Sequence, residues 1–267
     1  MSILLRILEP EMKAPLAAAG LIRYADFVGC AGGEVVHQSG TTCTRRLTVR
    51  TASGDDVLYL KAYRYDGKAV PFRLTSSKPL REARNYRLLR EQCGIDVPDV
   101  VALGSRRRGP LMTDGFVVTR AVPDCQPLDA FAAGRPNLRL DGLRDKLCRD
   151  VMERTAEAVA RMHTARVYHI DLQWRNMLVS LTNPEEPRVY LLDCARGGRR
   201  RHPWRCEHGR LRDLSSLYKE ARVRLSPRQQ IWWLRRYLDV RKLTEVHRLM
   251  MGSILLDRAI KDHEESA

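Results

Sequence analysis

The chain has 267 residues, 44% of them hydrophobic and 30% charged, and 47 lysines and arginines against 32 aspartates and glutamates give a formal net charge of +15. That length carries one large domain or two lobes with a self-sufficient core, while the absence of any run of roughly eighteen apolar residues excludes a spanning helix. Seven scattered cysteines without a C-x-x-C pair exclude a disulfide scaffold and suit free thiols in a reducing cytosol. Met1 to Leu8 lacks the length and cleavage site of a secretory signal. The charge calls for an anionic partner: nucleic acid, a membrane face, or a phosphorylated or acidic substrate.

In chain order, Ile3, Leu4, Ile7 and Leu8, then Leu16 and Leu21, predict one or two short amphipathic helices. From Phe27 to Tyr65 the pattern becomes that of strands. Residues 34–37, 47–51 and 57–61 read as three antiparallel strands, with turns at 38–41 and 52–55. Ser39, Gly40 and Thr41 in the first turn can offer hydroxyls and backbone N–H groups to an anion, or simply close a hairpin. Lys61 ends the third strand.

A helix is predicted over 78–93, with Ser77 as N-cap, Pro79 in its first turn and Gly94 at its end. Glu82, Tyr86, Leu89 and Cys93 fall on one stripe facing the sheet. A buried carboxylate needs a cation, and Lys61 is the candidate, with Arg81 and Arg84 as alternatives. Residues 97–104 and 115–119 complete a five-stranded sheet, and Arg106, Arg107 and Arg108 between them read as a solvated loop. Thr119 to Leu128, with Pro123 and Pro127, reads as a linker. The division expected is therefore a β-rich lobe, 1–121, and a mainly helical lobe, 122–267.

A long helix over 141–165, with Leu143, Leu147, Val151, Ala158, Val159 and Met162 inward, leads to Tyr168-His169-Ile170-Asp171-Leu172-Gln173-Trp174-Arg175-Asn176. His163 on it is a packing residue. Residues 177–179 and 189–192 are apolar runs separated by a turn-rich segment, a predicted β-hairpin. Antiparallel pairing brings Asn176, just before the first strand, and Asp193, just after the second, to the same end of the ribbon, with Asp171 on the entering loop. Two carboxylates and an amide oxygen suit a hard cation such as Mg2+. The basic run after Asp193, including Arg196, Arg199, Arg200 and Arg201, reads either as an anion-binding substrate surface or as a charged loop. Further helices are predicted over 210–221, from the capping box Ser226-Pro227-Arg228-Gln229, and over 243–260. Trp232 and Trp233 read as core or interface aromatics.

Asp, Asn and Asp in this order around a hairpin, after a strand lysine and a helix glutamate, resemble the protein-kinase-like fold. Arg-Glu-Ala-Arg-Asn at 81–85, Val-Tyr-His-Ile-Asp-Leu at 167–172, Leu-Leu-Asp-Cys-Ala-Arg at 191–196 and Arg-Asp-Leu-Ser-Ser-Leu at 212–217 are similar to blocks of the bacterial lipopolysaccharide kinases that phosphorylate heptose or Kdo of the inner core. The resemblance implies an α+β, two-lobed ATP-dependent kinase. In it Lys61 orients the phosphates and Glu82 anchors Lys61, Asp171 is the base, and Asn176 and Asp193 hold Mg2+. The turn at Ser39, Gly40 and Thr41 occupies the place of the glycine-rich loop. It further implies an anionic lipopolysaccharide acceptor, and with the charge of +15 this favours peripheral contact with the cytoplasmic face of the inner membrane, leaves room for an acidic protein partner, and makes nucleic acid a disfavoured partner.

Ile170 replaces the arginine through which many protein kinases answer activation-loop phosphorylation, and neither Phe-Gly nor Ala-Pro-Glu follows Asp193. Gln173 stands where a serine/threonine kinase has lysine, so Arg175 is the candidate for the missing positive charge on the transferring group. Competing readings are an aminoglycoside-type or protein kinase, or a catalytically weak kinase-fold scaffold for anionic membrane or nucleic acid.

Overall fold

The computed structural model describes residues 1–65 and 70–266 and divides into two compact units, Met1–Tyr86 with Pro98–Val122, and Arg87–Val97 with Pro123–Ala267. The first unit contains the strands β1 (Ser2–Ile7), β2 (Glu34–Gln38), β3 (Thr42–Thr51), β4 (Gly54–Arg64), β5 (Val100–Arg108) and β6 (Leu111–Arg120). They form one antiparallel sheet in the order β1-β5-β6-β4-β3-β2. Between them run the helices α1 (Lys13–Ala18), α2 (Tyr24–Val28), α3 (Val70–Leu74) and α4 (Lys78–Cys93).

Strand alternation decides what each face of the sheet meets. Leu58 and Leu60 of β4 join Leu47, Val49, Phe116 and Val118 in a core closed by Met12, Leu16, Tyr24 and Phe27. The Phe27 and Phe116 rings stack with centroids 4.4 Å apart. Lys61 and Tyr63 alternate to the opposite face, where Tyr63 packs with Leu103, Met112 and Val117 and with Leu80 and Ala83 of α4. Gly104 is required by packing, since a Cβ there would stand 2.5 Å from the Phe116 ring and 2.9 Å from the Leu4 carbonyl.

The structure corrects three sequence expectations here. The segment expected to open as a helix is a strand, because β1 finds a partner far along the chain, pairing Ser2 with Arg107 through Ile7 with Ala102. The sheet consequently has six strands rather than five. Arg106, Arg107 and Arg108 belong to β5 rather than to a loop. Arg106 reaches the buried Asp114 at 2.5 Å, and Asp114 also accepts from the Tyr24 hydroxyl at 2.5 Å. Burial and this carboxylate together push the Tyr24 phenol above its ordinary range.

In the second unit β7 (Cys125–Pro127), α5 (Leu128–Ala133) and α6 (Leu138–Asp141) precede the long helix α7 (Lys146–Thr164). Helix α7 begins later than its apolar pattern suggests, because Asp145 is its N-cap and accepts from the Cys148 N–H at 2.8 Å. Then follow β8 (Val167–Tyr168), β9 (Met177–Ser180), β10 (Arg188–Leu191), β11 (Gly198–Arg199), α8 (Pro203–Arg224), α9 (Pro227–Leu238) and α10 (Glu245–Ser266). Strands β10, β9 and β7 form one small sheet, and β11 and β8 another. Residues 87–97 group with this unit rather than with the lobe expected for them. Their ties explain it: the Asp96 carbonyl accepts from the Leu191 N–H at 3.0 Å, and the Asp96 carboxylate pairs with Arg188 at 2.7 Å.

The α9 capping box forms as the sequence indicated, with the Gln229 side chain accepting from the Ser226 N–H at 2.7 Å. Trp233 donates to Thr155 on α7 at 2.9 Å and stacks on Tyr237, so it ties α9 to α7 from within. Lys219 and Arg222 of α8 pair with Glu265 and Asp262 of α10. An apolar cavity of about 360 Å³ lies among α7, α8, α9 and α10, with Trp174, Met177, Leu217, Trp233 and Ile254 in its wall. All seven cysteines are free thiols. Among the described residues no helix is long and apolar enough to cross a membrane.

Candidate active site

The hairpin of β9 and β10 pairs Met177 with Leu191 and Ser180 with Arg188. Its open end carries the residues that the sequence singles out for the site. The Leu192 N–H donates to the Asn176 carbonyl at 2.8 Å, which extends the ladder by one bond and places Asp193 next to it in the chain. The Asn176 side chain is buried, and its amide nitrogen donates to the Asp171 carbonyl at 2.8 Å. That contact uses the amide nitrogen and not the amide oxygen. Gln173 donates to Asp171 Oδ1 at 2.7 Å, so it holds the carboxylate while Asn176 holds the main chain. Asp171, Gln173 and Asn176 are thus joined by hydrogen bonds within one tight loop.

Two residues of this segment have left-handed backbones, Ile170 with φ 70° and Asp193 with φ 54°. For a β-branched residue this conformation is disfavoured and persists only when neighbours impose it. Asp213 of α8 imposes it at Ile170. Fully buried, it accepts from the Ile170 N–H through Oδ1 at 2.6 Å and from the His169 N–H through Oδ2 at 2.8 Å. His163 Nε2 lies 3.2 Å from the same carboxylate, and its Nδ1 lies 2.8 Å from the Tyr237 hydroxyl. An ionised carboxylate is acceptor only, so Nε2 carries a proton toward Asp213, and Nδ1 shares a hydrogen bond with the Tyr237 hydroxyl. Burial pushes the Tyr237 hydroxyl up to about 12, so it stays protonated. His169 Nε2 in turn donates to the Leu192 carbonyl at 2.6 Å, joining the loop to the residue before Asp193. Trp174 Nε1 donates to the Leu217 carbonyl at 3.1 Å.

Sequence reasoning gave Asp213 and His163 no part in this site. The signal existed for Asp213. Cys206, Gly209, Asp213 and Leu217 all lie on the buried stripe of α8, and an acid on such a stripe needs donors, the argument already applied to Glu82.

In the first unit Glu82 is buried at 3% exposure. Its nearest donors are hydroxyls: Tyr63 donates to Oε2 at 2.5 Å and Tyr86 to Oε1 at 3.0 Å. Lys61 Nζ stands 4.0 Å from Oε2. In the turn between β2 and β3 the Ser39 Oγ accepts from the Thr42 N–H at 3.2 Å, and the Thr41 carbonyl accepts from the Arg64 N–H at 2.8 Å. A side chain at Gly40 would meet no neighbour within 4 Å. The first contact closes the hairpin locally, and the second joins the turn to the end of β4.

The basic run is more ordered than a charged loop. Gly198 and Arg199 pair with Tyr168 and Val167, the Arg200 N–H donates to the Arg166 carbonyl at 2.8 Å, and α8 begins at Pro203. Arg196, Arg199 and Arg201 are exposed, as is Arg175, while Arg200 is half-buried. Gly209 lies against the Tyr168 ring, where a Cβ would come within 2.5 Å, so α8 packs directly on the strand that leads into the loop.

Among the described residues no three His, Cys, Asp or Glu side chains form a metal cage. Magnesium held by an amide oxygen and a carboxylate, and completed by water and phosphate, requires none. The all-oxygen donor set of Asn176 and Asp193, with the Asn176 amide oxygen left over by the Asp171 contact, fits that ion.

An antiparallel sheet covered on one face by a long helix, and separately a loop and hairpin held by a helical unit, define a protein-kinase-like fold. The model of the lipopolysaccharide kinase (Kdo/WaaP) family matches residues 44–237, and the chain belongs to that family. Among solved structures it is similar to one described as WaaP in complex with acyl carrier protein, with a TM-score of 0.69 and 23% identity over 98% of each chain. At that identity the likeness speaks for the fold. A comparison with curated proteins finds no match. The chain is accordingly a kinase, a phosphotransferase acting on a sugar of the lipopolysaccharide inner core.

Proposed function

We propose that the chain transfers the γ-phosphoryl group of ATP to a hydroxyl of heptose or Kdo. The hydrogen-bonded loop of Asp171, Gln173 and Asn176, fixed from beneath by Asp213, is the observation that carries this reading. Asp171 accepts the proton of the sugar hydroxyl, and Gln173 on Oδ1 directs the other oxygen to that task. Asn176 and Asp193 would hold Mg2+, which when bound neutralises charge on the phosphates. By the family resemblance Lys61 would orient the phosphates, Glu82 would position Lys61, and the turn at Ser39, Gly40 and Thr41 would offer them its hydroxyls and N–H groups. Arg175 supplies positive charge to the transferring group in the place of a lysine at 173. Little covalent chemistry is asked of the protein; positioning and charge placement lower the barrier.

Arg196, Arg199, Arg200 and Arg201 receive the phosphates and carboxylates of the acceptor. The net charge of +15 supports peripheral contact with an anionic leaflet at the cytoplasmic face of the inner membrane. It equally suits an acidic protein partner, and the similar WaaP structure contains an acyl carrier protein.

Incubation with labelled ATP and phosphatase-treated lipopolysaccharide, beside an Asp171→Asn control, tests the reading. Label appears in the lipopolysaccharide core with the wild-type chain and falls by at least about a hundredfold with the control. Label confined to protein or to small sugars overturns it.

A further inference from the structure

The position of helix α4 decides whether Glu82 can serve Lys61, so the contacts that hold the helix set the readiness of the nucleotide site. In the simplest arrangement the Lys61–Glu82 ion pair does both jobs, holding the helix and presenting the ammonium. The distances here assign the first job elsewhere. Tyr63 on β4 reaches Glu82 Oε2 at 2.5 Å, whereas Lys61 on the same strand stands at 4.0 Å from that oxygen, outside hydrogen-bond range. Tyr86, one turn further along α4, takes the other oxygen at 3.0 Å. All three groups are sealed, with Glu82 at 3%, Tyr63 at 3% and Tyr86 at 4% exposure. A buried carboxylate with a strong donor on each oxygen is satisfied without a cation as its closest neighbour.

We propose that Tyr63 and Tyr86 form a clamp that fixes Glu82, and with it the first turns of α4, against the sheet whether or not Lys61 is engaged elsewhere. Tyr63 is the strap between strand and helix, and Tyr86 sets the rotamer of the carboxylate from within the helix. The Tyr63 ring does further work. The Lys61 ammonium lies 5.3 Å and the Lys78 ammonium 5.5 Å from its centroid, so the ring steers both cations while its hydroxyl holds the acid. Lys61 can then move toward phosphates without loosening α4. The helix is held in its working position permanently, consistent with Ile170 standing where a phosphorylation-dependent kinase has arginine. Tyr63 and Tyr86 are positioning residues; the inference rests on the reading of Lys61 as the phosphate-orienting residue.

The test compares Lys61→Met with Tyr63→Phe, Tyr86→Phe and the double phenylalanine variant in the full chain. Amide exchange across residues 78–86 is followed alongside steady-state kinetics. Phenylalanine retains the packing of each ring, so the comparison isolates the hydroxyls. Lys61→Met should lose phosphoryl transfer by about a hundredfold or more while exchange over 78–86 stays at the wild-type rate. Tyr63→Phe should speed that exchange about tenfold and raise KM for ATP by a similar factor, with the acceptor KM unchanged, and the double variant should exceed either single one. A merely structural defect would lower the active fraction and leave KM alone. If Lys61→Met loosens 78–86 and Tyr63→Phe does not, the ion pair holds the helix and the clamp is refuted, while the site assignment stands. If Lys61→Met transfers phosphate at the wild-type rate, the assignment of Lys61 falls and takes the clamp with it.

Discussion

Replacing Asp213 by alanine should damage the catalytic loop more than any substitution within the loop's own solvent-facing residues. The carboxylate is fully buried and takes two backbone N–H groups, from Ile170 at 2.6 Å and His169 at 2.8 Å, with His163 Nε2 at 3.2 Å. Hydrogen bonds to a charged acceptor contribute about 1.5–3 kcal/mol each, and their removal leaves buried donors without partners. Some of this returns when Ile170 leaves φ 70°, a conformation that costs on the order of 1–3 kcal/mol. The net loss for Asp213→Ala is therefore about 3–5 kcal/mol, within the range found on breaking buried charged pairs. Against a total stability of about 5–15 kcal/mol the variant remains foldable, and urea unfolding reads the shift. Asp213→Asn keeps one accepting oxygen but turns an NH2 toward a donor, so it should lose about 2 kcal/mol. Both variants should lower kcat by about a hundredfold, because relaxation of Ile170 displaces the adjacent Asp171 on the order of an ångström. An Asp213→Ala protein within about 1 kcal/mol of wild type, and with kcat within about twofold, would refute the reasoning.

Two further outcomes are expected, the first from the proposed role of Arg175 and the second from the ion pairs of α10. Arg175→Ala should cut turnover about tenfold while leaving ATP affinity intact, measured by single-turnover transfer beside nucleotide titration; unchanged turnover would remove Arg175 from the site. Acid should loosen α10 before the rest of the second unit. Hydrogen bonds from Lys219 and Arg258 hold the Glu265 carboxyl down at about 2, below its ordinary 4.5. A depressed carboxylate pKa stabilises the fold above the unfolded value, and that contribution is lost as pH falls from about 4.5 through about 2. Amide exchange of residues 257–265 should rise in that window, and high salt should bring the rise on at higher pH; exchange independent of pH there would show that these pairs do not hold the helix.

What could be read from the sequence was whatever local order dictates. The hairpin behind Asn176 and Asp193, the limits of α4 and the Ser226 capping box each depend on residues a few positions apart. The misread segments depend on distant ones. Ile3, Leu4, Ile7 and Leu8 fit a helical stripe as well as a strand, and only pairing with Arg107 through Ala102 decides between them. Arg106 reads as solvated until Asp114 is placed beside it. The burial of Glu82 followed from its stripe, but its hydroxyl donors did not, since two tyrosines in a β-rich segment and a helix look like packing residues. Asp213 is separated from Ile170 by 43 positions, beyond any local pattern.

Nearly every bond that shapes the catalytic loop ends on a main-chain atom: the N–H of His169 and Ile170, and the carbonyls of Asp171, Leu192 and Leu217. Such a loop is tolerant of its own sequence. The side chains of Ile170 and Arg175 hold none of these bonds, so its course rests with Asp213, Asn176, His169 and Trp174, while Gln173 orients the Asp171 carboxylate. Loop course and turnover are therefore separable, and a change at Arg175 can alter the rate while the backbone stays where Asp213 holds it.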